Sequence, residues 1–358
     1  MTHHDQDTPA VGIIADDLTS AADGAAPFMA KGRQIVVRCA GFRPGTRCEA
    51  DVVSIDCDSR SQNEEEAAKA VAQATETVSA APLLYKTIDS TLRGHVKAEL
   101  RAAFHASGRK HVVIAPAFAS AGRITCGGIQ LVDGVPVSET NYAQDPVHPA
   151  RTSRILDLVP SEIECAVILD AETQEELNAR VAAIPDPEET LWIGSPGLAI
   201  ALAEMQTSVN GYVKQLPTVS KTLVAVGSAN EISRQQLERL RDANSVTRLC
   251  TPSERAASPE TVLADLVTEA AHLIVTGAYD ALIATGGETM AALLDKLNVD
   301  EFALMGEFEP GFPFGLGELR TGKPLVLGLK AGGFGSANTL LSAVDLLNSP
   351  RILASKAS

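Results

Sequence analysis

The sequence predicts an α/β fold of two domains, each with a mostly parallel sheet flanked by helices. Over most of the 358 residues, short apolar runs of strand length alternate with helical patterns, as in βαβ units. This alternation weakens over residues 206–221, where Ser, Asn, Gly and Pro are frequent. We therefore predict a first domain over residues 1–212, a second over residues 220–358, and a linker where they join.

The first domain begins with units of one strand and one helix. Its first apolar run, residues 11–15, ends in Asp16-Asp17 and leads into an alanine-rich helix. The carboxyl ends of parallel strands meet at one edge of a sheet, where α/β proteins bind their ligands. The further predicted strands of this domain cover residues 34–39, 51–55, 83–85, 111–116, 165–170 and 190–193.

A β-hairpin excursion interrupts this domain within residues 127–145. Two short apolar runs, residues 129–132 and 135–137, flank Asp133-Gly134, and Asp-Gly between such runs is a strong hairpin signal. The hairpin could cover an active-site edge or make a dimer contact, and we expect a homodimer.

The stretch from residue 85 to residue 94, Tyr-Lys-Thr-Ile-Asp-Ser-Thr-Leu-Arg-Gly, carries more candidate chemistry than any other ten positions of the chain. It follows a strand start and precedes a helical pattern, so it should lie at a strand's carboxyl end. Three cations at these strand ends could grip a carboxylate: Arg60, Lys86 and Arg93. Three residues could hold hydroxyl groups, and the two acids among them could accept a proton: Asp17, Asp89 and Ser90.

Structural roles for the polar residues stay open beside these. Asp16 and Asp58 could cap helices or turns, Lys86 and Asp89 could form an internal salt bridge, and Arg93 could be a solvated residue in a first helical turn. Four histidines have no spacing that suggests metal ligation: His95, His111, His148 and His272. We expect four aromatic side chains to pack in the core or in a lid and not to stack on a nucleotide base. They are Phe302, Phe308, Phe312 and Phe314.

Three predicted strands of the second domain run into glycine-rich turns at helix starts. The strands cover residues 222–226, 281–284 and 324–329, and the turns follow each of them. Such turns let unpaired backbone N–H groups and the helix dipole approach an anion. Three turns in one domain, one of them with Lys330, predict a nucleotide-phosphate site. The sequence contains neither a P-loop motif nor, after its first strand, a dinucleotide-binding fingerprint.

Composition excludes several classes of function. The formal charge of −15 and pI near 4.9 argue against a nucleic-acid partner. The six cysteines are scattered and indicate reduced thiols, neither disulfides nor a zinc site. No apolar run approaches the roughly 18 residues of a membrane span, and the polar first residues lack a signal-peptide core. We expect a cytoplasmic protein with no membrane partner.

Several segments, taken in order, closely resemble the four-carbon acid sugar kinase family. They are Ile-Ala-Asp-Asp-Leu-Thr from residue 14, Lys-Thr-Ile-Asp-Ser-Thr-Leu-Arg-Gly from residue 86, Ala-Pro-Ala-Phe from residue 115 with Gly122-Arg123, Gly227-Ser228, Gly-Gly-Glu-Thr from residue 286, and Lys-Ala-Gly-Gly-Phe-Gly from residue 330. The resemblance covers nearly the whole chain, and the segment from residue 86 is its most specific part. It implies a kinase that binds threonate-, erythronate- or 3-oxo-tetronate-like acids in the first domain and ATP, with Mg²⁺, in the second.

The resemblance and the chemistry together define the candidate site, for which no metal ligands are assigned. The expected substrate-binding residues are Asp16, Asp17, Arg60, Lys86, Thr87, Asp89, Ser90 and Arg93, with Asp17 and Asp89 as the catalytic candidates. The expected ATP-binding residues are Ser228, Gly286, Gly287, Glu288, Thr289, Lys330, Gly332 and Gly333. The chain departs from the family at Ser20 (usually Gly), Glu288 (usually Asp) and Ala331 (usually Ser), and the interval between Ser228 and Gly286 is shorter than usual.

The predicted function is therefore phosphorylation of the terminal hydroxyl of a four-carbon sugar acid by ATP. The departures leave a second hypothesis open, a family member that binds or senses a sugar acid without phosphoryl transfer. A third is a nucleotide- or metal-using enzyme, such as a dehydratase, that acts on another hydroxy acid.

Overall fold

The computed structural model describes residues 8–42, 49–145, 148–209, 216–227, 230–252 and 258–349. The chain divides into two compact units, Met1–Gly211 and Tyr212–Ser358. No helix in these described ranges is long and apolar enough to cross a membrane.

The first unit contains a parallel sheet in the strand order β2-β3-β1-β4-β10-β5-β9. Its strands, with those of the hairpin region, are β1 (Val11–Ala15), β2 (Ile35–Arg38), β3 (Val52–Asp56), β4 (Leu83–Thr87), β5 (His111–Ala115), β6 (Arg123–Cys126), β7 (Ile129–Val132), β8 (Val135–Pro136), β9 (Ala166–Ile168) and β10 (Thr190–Gly194). Its α-helices are α1 (Leu18–Ala25), α2 (Glu64–Val78), α3 (Val96–Ser107), α4 (Gln174–Ala182) and α5 (Pro196–Glu204). The parallel α/β sheet predicted for this part of the chain is confirmed.

The central strands of this sheet are buried along their whole length because both of their faces are covered. Every residue of β1, β3, β4 and β10 is buried, as expected for parallel strands between helices. Ile14, Leu84 and Ile114 belong to one core cluster with residues of α2 and α3. The sheet is thereby a rigid base for the loops at its carboxyl edge.

The predicted hairpin is confirmed and is larger than expected. β7 pairs antiparallel with β8 and also with β6. Asp133 (φ 50°) and Gly134 (φ 82°) both have positive φ at the turn, as a two-residue hairpin turn of the primed type requires. Gln130 on β7 is fully buried and donates from Nε2 to the carbonyls of Ser90 (2.8 Å) and Pro116 (3.1 Å). The hairpin is thus attached to the loops that follow β4 and β5.

The second unit contains a mixed sheet in the order β12-β11-β13-β16-β15-β14. Its strands are β11 (Thr222–Val226), β12 (Val246–Cys250), β13 (Ala281–Thr285), β14 (Glu301–Glu307), β15 (Pro313–Glu318) and β16 (Pro324–Lys330). Its helices are α6 (Glu231–Glu238), α7 (Pro259–Thr276), α8 (Gly287–Leu297) and α9 (Thr339–Asn348). β14 pairs with β15, and β15 with β16, antiparallel, whereas β12, β11, β13 and β16 are parallel.

The aromatic residues of β14, β15 and the segment between them pack in the interior, as the sequence favoured. Phe302, Phe312 and Phe314 are buried. The Phe308 ring lies 4.8 Å from that of Phe312 and 4.6 Å from that of Phe314, measured between centroids. Offset and edge contacts of this kind stabilise aromatic clusters, so these rings form core and not an open stacking surface.

Candidate functional site

The carboxyl ends of β1, β3 and β4 lie side by side at one edge of the first sheet. The parallel register pairs Ala15 with Asp56 and Ile14 with Lys86. The residues that follow these strands are therefore brought together, as predicted.

Arg60 joins the two aspartates that follow β1. Its Nε and Nη2 atoms donate to Asp16 Oδ2 at 2.9 Å and 2.6 Å, and its Nη1 contacts Asp17 Oδ2. Asp17 Oδ1 accepts from the backbone N–H of Ser20 at 2.6 Å and so caps α1. One guanidinium thus holds two carboxylates, and one of them is also fixed by a helix start.

The two aspartates differ in acidity and in burial. Burial raises the pKa of each, but Arg60 and Lys86 outweigh it at Asp16, whose pKa is lowered overall. At Asp17 burial, with the neighbouring charge of Asp16, outweighs Arg60, and the pKa is raised. Asp17 is also the more accessible, with 26% of its side chain exposed against 4% for Asp16.

A third carboxyl, Asp56, lies behind this pair at the end of β3. It is 2% exposed, and burial raises its pKa to about 8 despite the hydrogen bond that Asp56 Oδ1 accepts from the Asp58 N–H at 2.8 Å. Asp17, Asp58 and Asp16 increase this shift. At neutral pH Asp56 is therefore mostly protonated in the folded protein.

Lys86 is held in a buried network beneath the site. Its Nζ atom lies 2.8 Å from Glu99 Oε2 and donates to the Thr87 carbonyl at 2.6 Å. Glu99 Oε1 accepts from Ser59 Oγ at 2.7 Å. Burial alone would lower the pKa of Lys86, but Glu99 and Asp16 raise it overall, so the side chain is charged. The network joins β4, α3 and the turn after β3.

Sequence reasoning missed Glu99. The signal was present, because helical spacing places residue 99 on the same face as the apolar Val96, Leu100 and Ala103, all of which are buried. A carboxylate on the buried face of a helix needs a cationic or hydrogen-bonding partner, and here that partner is Lys86.

Arg93 has two carboxylate partners. Its Nε donates to Asp89 Oδ2 at 2.5 Å and its Nη1 to Asp145 Oδ2 at 3.0 Å. Asp89 also accepts from Thr91 Oγ1 at 2.7 Å. The alternative of a Lys86–Asp89 salt bridge is wrong, because each residue pairs elsewhere. The alternative of a solvated Arg93 is also wrong.

Two buried oxygen atoms at this edge have no hydrogen-bond partner within the described residues: Asp16 Oδ1 and Thr87 Oγ1. Buried polar atoms are normally paired, so these two are available to a ligand hydroxyl. Ser90 is placed by its backbone, whose carbonyl accepts from Gln130.

The glycine-rich turns of the second unit converge at the carboxyl ends of β11, β13 and β16. Gly286 has φ of 97° and donates its N–H to the Lys330 carbonyl at 2.9 Å. A Cβ atom on Gly227 would lie 2.0 Å from Thr289 Oγ1, so a larger residue there would have to displace the Thr289 side chain. Ser228 lies outside the described residues.

Lys330 supports the third turn. Its Nζ donates to the carbonyls of Ala331 (2.9 Å) and Gly332 (3.0 Å). Burial lowers its pKa to about 8, against the opposing charge of Glu309. A Cβ on Gly333 would lie 3.0 Å from Asn230 Nδ2, which keeps this turn close to the start of α6.

These turns fit the phosphates of a nucleotide. They present small residues, Gly286 and Gly287, at the start of α8, and the nearby Thr285 Oγ1 is buried without a partner within the described residues. Exposed Glu288 in the first turn of α8 could bind Mg²⁺, which proteins often hold through one or two carboxylates together with substrate phosphates.

Comparison with known proteins gives matches along both units. Residues 11–165 match the sugar-binding N-terminal domain family and residues 246–340 the nucleotide-binding C-terminal domain family. A D-threonate kinase of Salmonella typhimurium is 30% identical over 93% of this chain and 97% of its own. A D-erythronate kinase of Heliobacterium modesticaldum is 31% identical over 66% of this chain and 61% of its own.

Solved structures share the fold. A Salmonella typhimurium LT2 protein superimposes with a TM-score of 0.75 at 21% identity, over 93% of this chain and 98% of its own. A Bordetella bronchiseptica structure with bound citrate, described as a domain-swapped dimer, has a TM-score of 0.51 at 27% identity, over 95% of this chain and 98% of its own.

We predict that breaking the buried Lys86–Glu99 pair from one side is strongly destabilising. Glu99→Gln should lower the free energy of unfolding by about 3–5 kcal/mol, because it leaves a buried ammonium without its counter-charge. The double variant Lys86→Met/Glu99→Leu should recover part of that loss. Urea denaturation at pH 7 measures both.

The exposed pair Lys110–Glu189 provides the matched control. Glu189→Gln should leave the urea midpoint unchanged. An effect of Glu99→Gln no larger than that of Glu189→Gln would contradict the network's importance.

Asp56 should make the stability of the protein depend on pH. Its folded-state pKa of about 8 lies above its ordinary value of 3.8, so between these values the folded protein keeps a proton that the unfolded chain has lost. Stability should therefore fall as pH rises from about 4 to about 8, by up to roughly 1.4 kcal/mol per pH unit from this group. Asp56→Asn should remove that component, which unfolding curves at several pH values would show. Parallel pH profiles for the two proteins would contradict the assignment.

Proposed function

The chain belongs to the four-carbon acid sugar kinase family, and we propose that it transfers the γ-phosphoryl group of ATP to the terminal hydroxyl of a four-carbon sugar acid. The first unit would bind the acid and the second the nucleotide, with residues 1–212 and 220–358 as the domains. The observation that carries the proposal is the Asp16–Arg60–Asp17 arrangement beside unpartnered Asp16 Oδ1 and Thr87 Oγ1.

This arrangement suits a polyhydroxylated ligand. Carboxylates accept hydrogen bonds from hydroxyl groups, and the edge offers several that are held rigidly by Arg60 or Arg93. Bound citrate in the Bordetella bronchiseptica relative supports a site for a carboxylic acid. Relatives that act on D-threonate and D-erythronate support a four-carbon substrate, and 3-oxo-tetronate stays within the proposed class.

Asp17 is the proposed general base. Its raised pKa makes it a better proton acceptor than a fully exposed aspartate, and its side chain is accessible. The cap on α1 and the contact with Arg60 hold the carboxylate in one orientation. Asp89, which is fixed by Thr91 and Arg93, is then proposed to position the substrate.

Residues of the second unit would hold the nucleotide. The turns at Gly286 and Gly333 and the start of α8 are proposed to bind the phosphates, and Lys330 to keep the third turn in place. Mg²⁺, when bound, would neutralise charge on the transferring phosphoryl group, and Glu288 is its proposed protein ligand.

The chain is further proposed to be cytoplasmic and homodimeric. The domain-swapped dimer of the Bordetella bronchiseptica relative supports the dimer, which light scattering tests.

An ATP-consumption assay over D- and L-threonate, D- and L-erythronate and 3-oxo-tetronate, with Mg²⁺, tests the activity. We expect turnover of at least one acid and a phosphorylated product. Folded protein that binds an acid without turnover would support a sensor instead. Conversion of the acid without phosphate transfer would support a different enzyme class.

Replacing the two candidate acids separately should distinguish their roles. Asp17→Asn should lower kcat by at least about tenfold, the lower range of a general-base contribution. Asp89→Asn should mainly raise KM, because it removes one of the two carboxylate partners of Arg93. Asp58→Asn is the matched control, since Asp58 lies at the same edge with φ of 45°, which Asn tolerates. If neither Asp17→Asn nor Asp89→Asn lowers kcat tenfold, neither residue is the base.

A further inference from the structure

The cations assigned to the substrate site are already matched by protein carboxylates. Arg60 is shared by Asp16 and Asp17, and the side chain of Lys86 is paired with Glu99. Arg93 likewise contacts Asp89 and Asp145. An anionic substrate would therefore have to compete with internal ion pairs if these residues alone bound its carboxylate.

Arg123 differs from these cations. It begins β6, immediately after Gly122, and no ion pair links it to a carboxylate within the described part of the chain. Its Nη2 donates to Tyr142 Oη at 2.9 Å and its Nη1 to the Ala121 carbonyl. Its buried Nε has no hydrogen-bond partner among the described residues.

The position of Arg123 connects it to the candidate site. Its backbone exchanges two hydrogen bonds with Phe118, just beyond β5, at 2.7 Å and 3.1 Å. Its guanidinium lies 6.0 Å from the centroid of the Tyr142 ring, and that of Arg93 lies 5.3 Å from the same centroid. Two guanidinium groups therefore approach one aromatic ring, and only that of Arg93 has carboxylate partners in the described residues.

The charge of Arg93 is already balanced by Asp89 and Asp145. The charge of Arg123 has no carboxylate partner among the described residues, and the carboxylate of a ligand would supply one. Arg123 is held by two hydrogen bonds, so little side-chain freedom remains to be lost when a ligand binds. The guanidinium also has N–H groups beyond the two that these bonds use.

We propose that Arg123, oriented by the Tyr142 hydroxyl, binds the carboxylate of the sugar acid and so selects acids over neutral polyols. This rests on the proposed function and assigns a specificity residue that is not among the expected substrate-binding residues, although Gly122-Arg123 is one of the segments that carry the family resemblance. It also gives the hairpin region a role, because β6 and the turn around Tyr142 then form the carboxylate end of that site.

Calorimetric binding of a four-carbon acid and of the matching neutral tetritol tests the proposal. Arg123→Met should weaken binding of the acid at least tenfold and leave binding of the tetritol unchanged. Arg123→Lys should be intermediate, because a lysine supplies the charge without the planar fork. Arg151→Met, which removes an equal charge from an exposed position, should change neither.

Several outcomes separate this inference from the proposed kinase activity. Unchanged acid affinity in Arg123→Met, or equal loss for acid and tetritol, overturns the role of Arg123 alone. Acid binding that depends on Arg123 in a protein without turnover supports the inference and overturns the kinase proposal. A wild-type protein that binds none of the acids overturns both. If Arg123→Met does not fold, as judged by circular dichroism, Arg123→Lys and Tyr142→Phe decide by the same acid-to-tetritol comparison.

Discussion

The buried contact between Lys86 and Glu99 is the interaction on which the first unit's candidate site depends. It places a fully desolvated ammonium beneath the strand ends, and this is tolerated because a carboxylate and a backbone carbonyl receive its hydrogen bonds. Since Glu99 also binds Ser59, the pair fixes the turn that carries Arg60. The orientation of the site residues thus follows from a contact that is almost completely buried.

The candidate site is rich in carboxylates, and this shapes its chemistry. Arg60 and Arg93 each serve two acids, while Asp56 avoids a further negative charge by keeping its proton near neutral pH. Such a surface suits hydroxyl groups, which donate to carboxylates. It is poorly suited to an anion unless a nearby cation has no carboxylate partner in the protein. The surroundings of Arg123 therefore matter for a substrate that carries both hydroxyl groups and a carboxylate.

The candidate phosphate site of the second unit is built from small residues in place of charged side chains. Phosphate binding needs backbone N–H groups close to the ligand, and side chains at Gly227, Gly286 or Gly333 would fill that space or meet neighbouring atoms. Lys330 contributes by holding the carbonyls of Ala331 and Gly332. The antiparallel pair of β14 and β15, with its aromatic core, extends this sheet beyond the parallel strands that the glycine turns indicated.

The amino-acid sequence alone determined the strands of the first unit's parallel sheet, the strands β11, β13 and β16 of the second unit, the hairpin turn at Asp133-Gly134 and the places where polar residues leave the sheet. Apolar periodicity and turn chemistry act over a few neighbouring residues and are therefore visible in the sequence. The sequence did not indicate β6, β12, β14 or β15. It also grouped the candidate site residues from Lys86 to Arg93, through a motif whose members lie close in the chain. Only the tertiary structure decided which charges pair. Asp16 pairs with Arg60 across 44 positions of the chain, and Arg93 pairs with Asp145 across 52. Lys86 pairs with Glu99 and not with Asp89, the partner that closeness in the chain suggested. Packing of whole strands and helices sets such contacts, since a buried charge pairs with whichever opposite charge the fold brings within reach.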